Sequence, residues 1–526
     1  MVNPSSNDET IEEPQKNEGP AEVLLRLTAN AGFLRSTDGR FYAQVSVGGR
    51  REIYTLKSAA FRDWLIDGYF RDRRELPSDW SMRRVLAALE ATARFEGGTP
   101  SIFVRVGHDG NSNGNGNGIG SACYLDLADS GGQAVEIGPG GWSVVNNPRI
   151  HFRRPDGHLP LPMPGREGSI DLLRAYVNLT DRDFRLLIVW MAAALRPVGP
   201  YPILALYGQH GSTKSTLAKV VRLLIDPQAG PPLAEPRNTR ALMVTAVNGW
   251  VLAYDNISVI PRWLSDGLCL LATGGALADH ASFTKGERTV IHAQRPVILS
   301  GIEEFIRRDD LSDRSVVLDL PPILPSRRRL EHEFWASFHQ DYPRILGGLL
   351  DAVAGGLRAL PSVRLTELPR MADFATFAEA VGRKLGWPAG TALSEYNENR
   401  REATMNQLED SPVAAVLLDL GPDYLNDWSG TPTELLSELT ALAGKHADSP
   451  RWPKSPQWLT IELRRIAPLL GIHGIFVHST RGKYGRVLSI TRDRKVAEKN
   501  GAMRELIADD PLGLERDTPE KWPQAQ

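Results

Sequence analysis

Apolar and polar positions change period along this chain, and each change marks an element. Phe41-Tyr-Ala-Gln-Val-Ser-Val47 and Arg51-Glu-Ile-Tyr-Thr-Leu56 alternate across Gly48-Gly49, which predicts a hairpin. Ala21 to Leu27 predicts a short helix, and residues 58–70 and 80–95 carry helical spacing. Phe61, Trp64, Leu65 and Tyr69 recur on one face of the first of these longer helices and read as core. Ile102-Phe-Val-Arg-Val106, Cys123 to Leu127, Ala134 to Ile137 and Trp142 to Val145 predict short strands. A low-complexity Asn–Gly run after Asp109 separates the first two and reads as a loop. Asp126 and Glu136 read as polar strand faces. Residues 21–155 therefore form an α+β module behind a disordered tail, 1–20. Residues 156–168, rich in proline and glycine, read as a linker, and 169–197 reads as helical.

Leu204-Ala-Leu-Tyr207 is a buried strand followed by Gly208-Gln209-His210-Gly211-Ser212-Thr213-Lys214-Ser215-Thr216 and a helix continuing to Ile225. Strand, glycine loop and helix occur in the order of the phosphate-binding loop G-x-x-x-x-G-K-[ST], with Thr213 where the second glycine is expected. Backbone N–H groups of residues 208–216 and the positive helix end would surround phosphate. Lys214 would place its charge near the β- and γ-phosphates of ATP, and Ser215 would offer its hydroxyl to Mg²⁺. Trp250-Val-Leu-Ala-Tyr254 is a second apolar strand. It ends in Asp255, which would hold Mg²⁺ or its water shell beside Lys214, and in Asn256, which can orient water but is a poor base.

Arg295-Pro-Val-Ile-Leu-Ser300 is a third apolar strand. Ser300 is either a sensor of the γ-phosphate or a turn residue. Arg314 precedes the strand Ser315 to Leu320; it either reaches a neighbouring subunit's nucleotide or pairs with a nearby aspartate. Ala278 to His292 reads as a loop and hairpin whose Lys285 either grips DNA phosphate or is solvated. Helices are expected over 330–358 and 371–385, with Phe374 and Phe377 in the core. Near the C-terminus, Pro432 and Ser455 open helices, and Ile475 to Ser479 and Arg486 to Ile490 form a hairpin. This predicts a winged helix, with Arg464, Arg465, Arg481, Lys483 and Arg486 facing either nucleic acid or protein.

At 526 residues with 42% hydrophobic content, several cores are affordable. The expected domains are the module at 21–155, an ATPase domain at 169–325, a helical region at 326–410, a winged helix at 411–495 and a tail at 496–526. A net charge of −2 means that nucleic acid must be met by local basic surface. Two distant cysteines, Cys123 and Cys269, fit a reducing compartment without structural zinc. The polar, acidic start and the absence of a long apolar run place the chain in the cytoplasm, away from membranes.

Gly208 to Thr216, Tyr254-Asp-Asn256, Arg295 to Ile302 and Asp313-Arg314 before Leu320-Pro-Pro-Ile323 together resemble a known group. It is the ATPase domain of phage, plasmid and mobile-element primase–helicases of the D5-like, superfamily 3 kind, related to AAA+ proteins. The resemblance covers roughly residues 170–325. It implies an α/β P-loop NTPase core between the N-terminal α+β module and a helical region ending in a winged helix. It also implies a homo-oligomeric ring, a hexamer, in which Asp255 coordinates Mg²⁺, Ser300 is the sensor and Arg314 is the arginine finger. Thr213 replaces the usual small residue, and Ser300 replaces a common asparagine. No primase site is recognisable upstream, so priming falls to a separate primase or replication protein. The leading expectation is an ATP-dependent helicase or translocase acting on single- or double-stranded DNA. The alternatives are an ATP-binding remodeller, a defence-type sensor, and a DNA-binding scaffold with little turnover.

Overall fold

The computed structural model describes residues 18–36, 39–110, 122–279, 289–302, 305–409, 411–420, 427–482 and 485–493. The expectations for residues 1–17, the Asn–Gly run from Asn111, Lys285, Lys483 and the tail from 496 lie outside them. The architecture is mixed α/β, strand-rich in its N-terminal part and helical in its C-terminal part. It divides into two compact units, one formed by residues up to 303 with 318–394, the other by 304–317 with residues from 395 onward.

The first unit opens with α1 (Pro20–Leu27), β1 (Gly32–Arg35), β2 (Phe41–Val47), β3 (Arg50–Thr55), α2 (Ala59–Arg73) and α3 (Asp79–Phe95). Gly48 and Gly49 both take positive φ, 58° and 82°. That turn matches the right-handed twist of paired strands, so β2 and β3 close as a tight hairpin. Phe61, Leu65 and Tyr69 pack with Val23, Leu24, Val85 and Leu89 in one core, and Trp64 packs at its edge. The aromatics of α2 are therefore core, as expected. The strand β1, paired to β2, was not anticipated.

The strand expected over 102–106 is broken in two, β4 (Ile102–Phe103) and β5 (Val106–His108). Arg105 between them takes φ 62° and turns its guanidinium inward, where it is fully buried. There follow β6 (Cys123–Asp126), β7 (Gln133–Gly138), β8 (Gly141–Asn146) and β9 (His151–Phe152). Strands β5 to β8 form an antiparallel sheet in chain order, and β9 lies parallel to β4. Asp126 is not a solvated strand face. It is 1% exposed and accepts both Nε and Nη2 of Arg154, at 2.8 and 2.6 Å.

The helical stretch expected over 169–197 comes in two pieces, a 3₁₀ turn at Ile170–Tyr176 and α4 (Asp181–Ala194). Thr180 is extended and its hydroxyl accepts the N–H of Asp183, starting the second piece afresh. Then come β10 (Ile203–Tyr207), α5 (Lys214–Ile225), α6 (Thr239–Asn248), β11 (Leu252–Tyr254), α7 (Arg262–Thr273), β12 (Gly275–Asp279), β13 (Thr289–Ala293) and β14 (Val297–Ser300). After α8 (Asp309–Ser312) follow β15 (Ser315–Asp319), α9 (Glu331–Ala359) and α10 (Ala372–Lys384). The main sheet has the order β11-β14-β10-β15, with β14 parallel to both β10 and β11. Its strands β10, β11 and β14 are buried throughout, which is why they read as unbroken apolar runs. Strands β12 and β13 pair antiparallel, forming the expected hairpin.

Residues 156–168 do not hang free. The Gly165 N–H donates to the Pro343 carbonyl of α9 at 2.8 Å. A Cβ on Gly168 would meet Arg344 O at 2.3 Å, and one on Gly347 would meet Gly165 O at 1.8 Å. This segment is thus a strap laid backbone to backbone on α9, a seat only glycines allow.

Arg105 ties the N-terminal strands to the main sheet. Its Nε donates to Asp226 Oδ1 at 2.9 Å, its Nη1 to Asp126 O at 2.9 Å, and its Nη2 to Leu159 O and Pro227 O at 2.8 and 3.2 Å. Asp226 ends α5, and its Oδ2 accepts the N–H groups of Trp250 and Val251 at 2.8 and 3.1 Å. The helix that follows the glycine loop and the strand that carries Asp255 are joined through this one carboxylate.

In the second unit, α11 (Thr391–Glu409) enters beside β15. Asn399 exchanges two hydrogen bonds with the Val317 backbone, and Arg400 pairs with Asp313. Then come α12 (Pro412–Asp419), β16 (Trp428–Gly430), α13 (Pro432–Leu442), α14 (Pro456–Ile472), β17 (Ile475–Gly482) and β18 (Gly485–Arg492). The strands form an antiparallel sheet of order β16-β18-β17. Thr431 caps α13 in a reciprocal box with Glu434, and Ser455 caps α14. Val413, Leu417, Leu435, Leu463, Ile466 and Ile490 share the core.

Candidate functional site

The loop between β10 and α5 lies at the carboxyl end of the sheet's parallel strands. Gly208 takes φ 147°, and a Cβ there would meet Ser212 Oγ at 2.5 Å and Leu320 O at 2.6 Å. Gly211 takes φ 80° with open space around it. Gln209, His210 and Gly211 form the exposed tip, while Ser212 is fully buried beneath it. Ser215 stands exposed in the first turn of α5, next to the half-buried Thr216. Loop amides and the helix's positive end thus share one mouth, an arrangement suited to an anion.

Lys214 is the first residue of α5 and is 9% exposed. Its Nζ donates to Gly208 O at 2.5 Å, Gln209 O at 2.9 Å and Ser212 Oγ at 3.3 Å. Burial lowers its pKa, and the charges of Asp255 and Asp319 oppose that shift. Asp255 follows β11. Its Oδ1 accepts the Ser300 hydroxyl, and also the Asn256 N–H at 2.9 Å. Ser300 is fully buried at the end of β14, the strand between β10 and β11. Asn256 is exposed and left-handed, with φ 60°. The structure therefore brings Lys214, Asp255 and Ser300 to one edge of one sheet. Asp319, at the end of β15, acts on Lys214 as well, and sequence reasoning assigned it nothing. Its signal was the one that marked Asp255, an aspartate closing an apolar strand.

Arg314 belongs to the second unit. Its Nη1 donates to Asp310 O at 2.7 Å and lies 3.6 Å from the Asp310 carboxylate. Arg464, Arg481 and Arg486 are exposed, and Arg465 is held by Glu462 at 2.6 Å. Arg464 and Arg486 line a groove of about 550 Å³ over the starts of α13 and α14. Among the described residues, no group of three or more His, Cys, Asp or Glu side chains is placed to hold a metal ion. No helix among them is long and apolar enough to cross a membrane.

Thr213 takes φ 66° and ψ 23°, immediately before α5. A β-branched residue in the left-handed region is strained. Thr213→Gly is expected to stabilise the protein by about 1 kcal/mol, read as a higher denaturation midpoint. An unchanged or lower midpoint would show that this backbone carries no strain.

Residues 170–398 match the family described as actinomycete integrative conjugative element replication protein. Residues 413–509 match the RepA C-terminal domain of the same elements. The two matches together span more than half of the chain. The chain belongs to this RepA family of mobile-element replication proteins. No curated protein matches it significantly. Among solved structures, the apo structure of the NrS-1 C-terminal region is similar, with 11% identity, a TM-score of 0.40, and coverage of 91% of this chain and 100% of that one. A second form of that region covers 90% and 99% at a TM-score of 0.39 and 11% identity.

Proposed function

We propose that this chain is an ATP-dependent DNA helicase or translocase of mobile-element replication, hydrolysing ATP between subunits of a ring. The observation that supports it most is the meeting of Lys214, Asp255 and Ser300 at the carboxyl edge of the parallel sheet, beside the glycine loop. In this reading residues 208–216 hold the phosphates through backbone amides, and Lys214 turns its ammonium from loop carbonyls toward them. Asp255, held in place by Ser300, and Ser215 are the residues that would hold Mg²⁺. That cation commonly takes only one or two protein ligands beside substrate phosphates. Bound Mg²⁺ would neutralise charge developing during phosphoryl transfer. Asn256 orients water, and Arg314 acts on the nucleotide of a neighbouring subunit. The helices and hairpin of the C-terminal part serve as a winged helix, with Arg464, Arg481 and Arg486 toward DNA phosphates.

ATP turnover of wild type and R314A, with and without single-stranded DNA, tests this reading. DNA is expected to stimulate wild type, and R314A to lose about a thousandfold in turnover. Normal turnover by assembled R314A would remove the trans-acting finger. The strained Thr213 and the amide at position 256 favour a second reading, a DNA-binding scaffold that uses ATP only to assemble. Tight nucleotide binding with almost no turnover in wild type would select it.

A further inference from the structure

The first unit contains a cavity of about 450 Å³ that the proposed ATPase chemistry does not use. It lies where the end of α4, the end of α9 and α10 meet Cys123 of β6. Leu357, Leu360, Val198 and Val363 give it apolar walls; Arg196 and Arg364 bring guanidinium groups to it, and the Asp373 carboxylate lines it as well. Arg196 is poorly matched to its surroundings. Its Nη2 donates to Val198 O at 3.1 Å, and its Cζ sits 4.5 Å from the centre of the Phe377 ring. Its Nε is buried without a hydrogen-bond partner. Among the described residues no carboxylate forms an ion pair with it, and Asp373 acts on it only at longer range. Burial lowers its pKa, and the surrounding Tyr201, Cys123 and Asp373 offset this only in part.

Arg196 is half-buried, and a cation answered there by one neutral carbonyl and a ring, with its Nε orphaned, would gain from an anion brought to it. The volume falls within the range of small-molecule sites, which combine apolar walls with a few placed polar groups. We propose that this cavity binds a small amphiphilic anion, a carboxylate or phosphate monoester. Its head lies on Arg196 and its apolar body against Leu357, Leu360 and Val363.

The test uses the full chain carrying K214A, so that phosphate does not bind at the glycine loop. Hexyl phosphate, hexanoate and hexanol are titrated by calorimetry. Either anion is expected to bind at least about tenfold more tightly than hexanol, the value of one charge-assisted hydrogen bond. The better of the two anions identifies the head group. R196M should cut that preference at least about tenfold further than R364M does, while leaving hexanol binding unchanged. L360W, which keeps the cation and fills the cavity, should abolish binding of all three. Equal binding of the anions and hexanol, anion binding that survives R196M and L360W, or no anion binding at all would overturn the proposal and leave Arg196 as a brace on Phe377.

Discussion

Lys214→Ala is expected to reduce ATP turnover by at least about a hundredfold, to background in a standard assay. The ammonium is the cation that the sequence delivers to the loop mouth, on the first turn of α5, where the helix dipole and loop amides already favour negative charge. Its bonds to Gly208 O, Gln209 O and Ser212 Oγ hold it over the loop rather than in solvent. A charge in so little water interacts with phosphate more strongly than a surface lysine would. The alanine variant keeps a good helix former at that position, so circular dichroism should be unchanged. Turnover within tenfold of wild type in a folded K214A protein would sink the assignment of this loop.

The second large effect is on stability. Asp226→Ala is expected to cost about 3–5 kcal/mol, because it leaves the Arg105 guanidinium buried without its counter-charge. Both side chains are fully buried. The variant also strips acceptors from the Trp250 and Val251 amides and from Gln228. Chemical denaturation reads the loss, and a cost under about 1 kcal/mol, that of an exposed pair, would contradict it. The pH dependence has a definite sign. Burial pushes the Asp226 carboxyl up, but the charges of Arg105 and His158 and the hydrogen bonds from Arg105 and Trp250 outweigh it and hold the group below the usual range. Its contribution is therefore complete above the ordinary carboxylate pKa of about 4 and is lost as pH falls through the lowered value. The gap between wild type and variant should be constant near neutrality and close only in acid.

Much of this was legible in the chain. Strands β10, β11 and β14 are covered on both faces, so their sequences are apolar without interruption, and Asp255 and Ser300 stand out at their ends. The Gly48-Gly49 turn declares its own handedness. Other features depend on partners remote in sequence. Arg105 sits inside an apolar string and reads as one polar step of a strand. Nothing local reveals that it reverses the backbone to meet a carboxylate at position 226. Thr213 is similar: the motif names the residue, but only the folded loop decides that its φ is positive. The division of 169–197 was visible in principle, since Thr180-Asp-Arg-Asp183 is a helix-start signal. The bond from Ser300 to Asp255 needed the strand order, which no spacing gives. Asp313 is near Arg314 in sequence, yet the cation it pairs with is Arg400.

The glycine seat between residues 165–168 and 347–348 has a mechanical consequence. Segments rich in proline and glycine are commonly treated as hinges, yet this one is clamped by main-chain contacts that leave no room even for a methyl group. A side chain at position 168 or 347 would have to lift the segment off α9, so alanine at either place should weaken this seat rather than stiffen it.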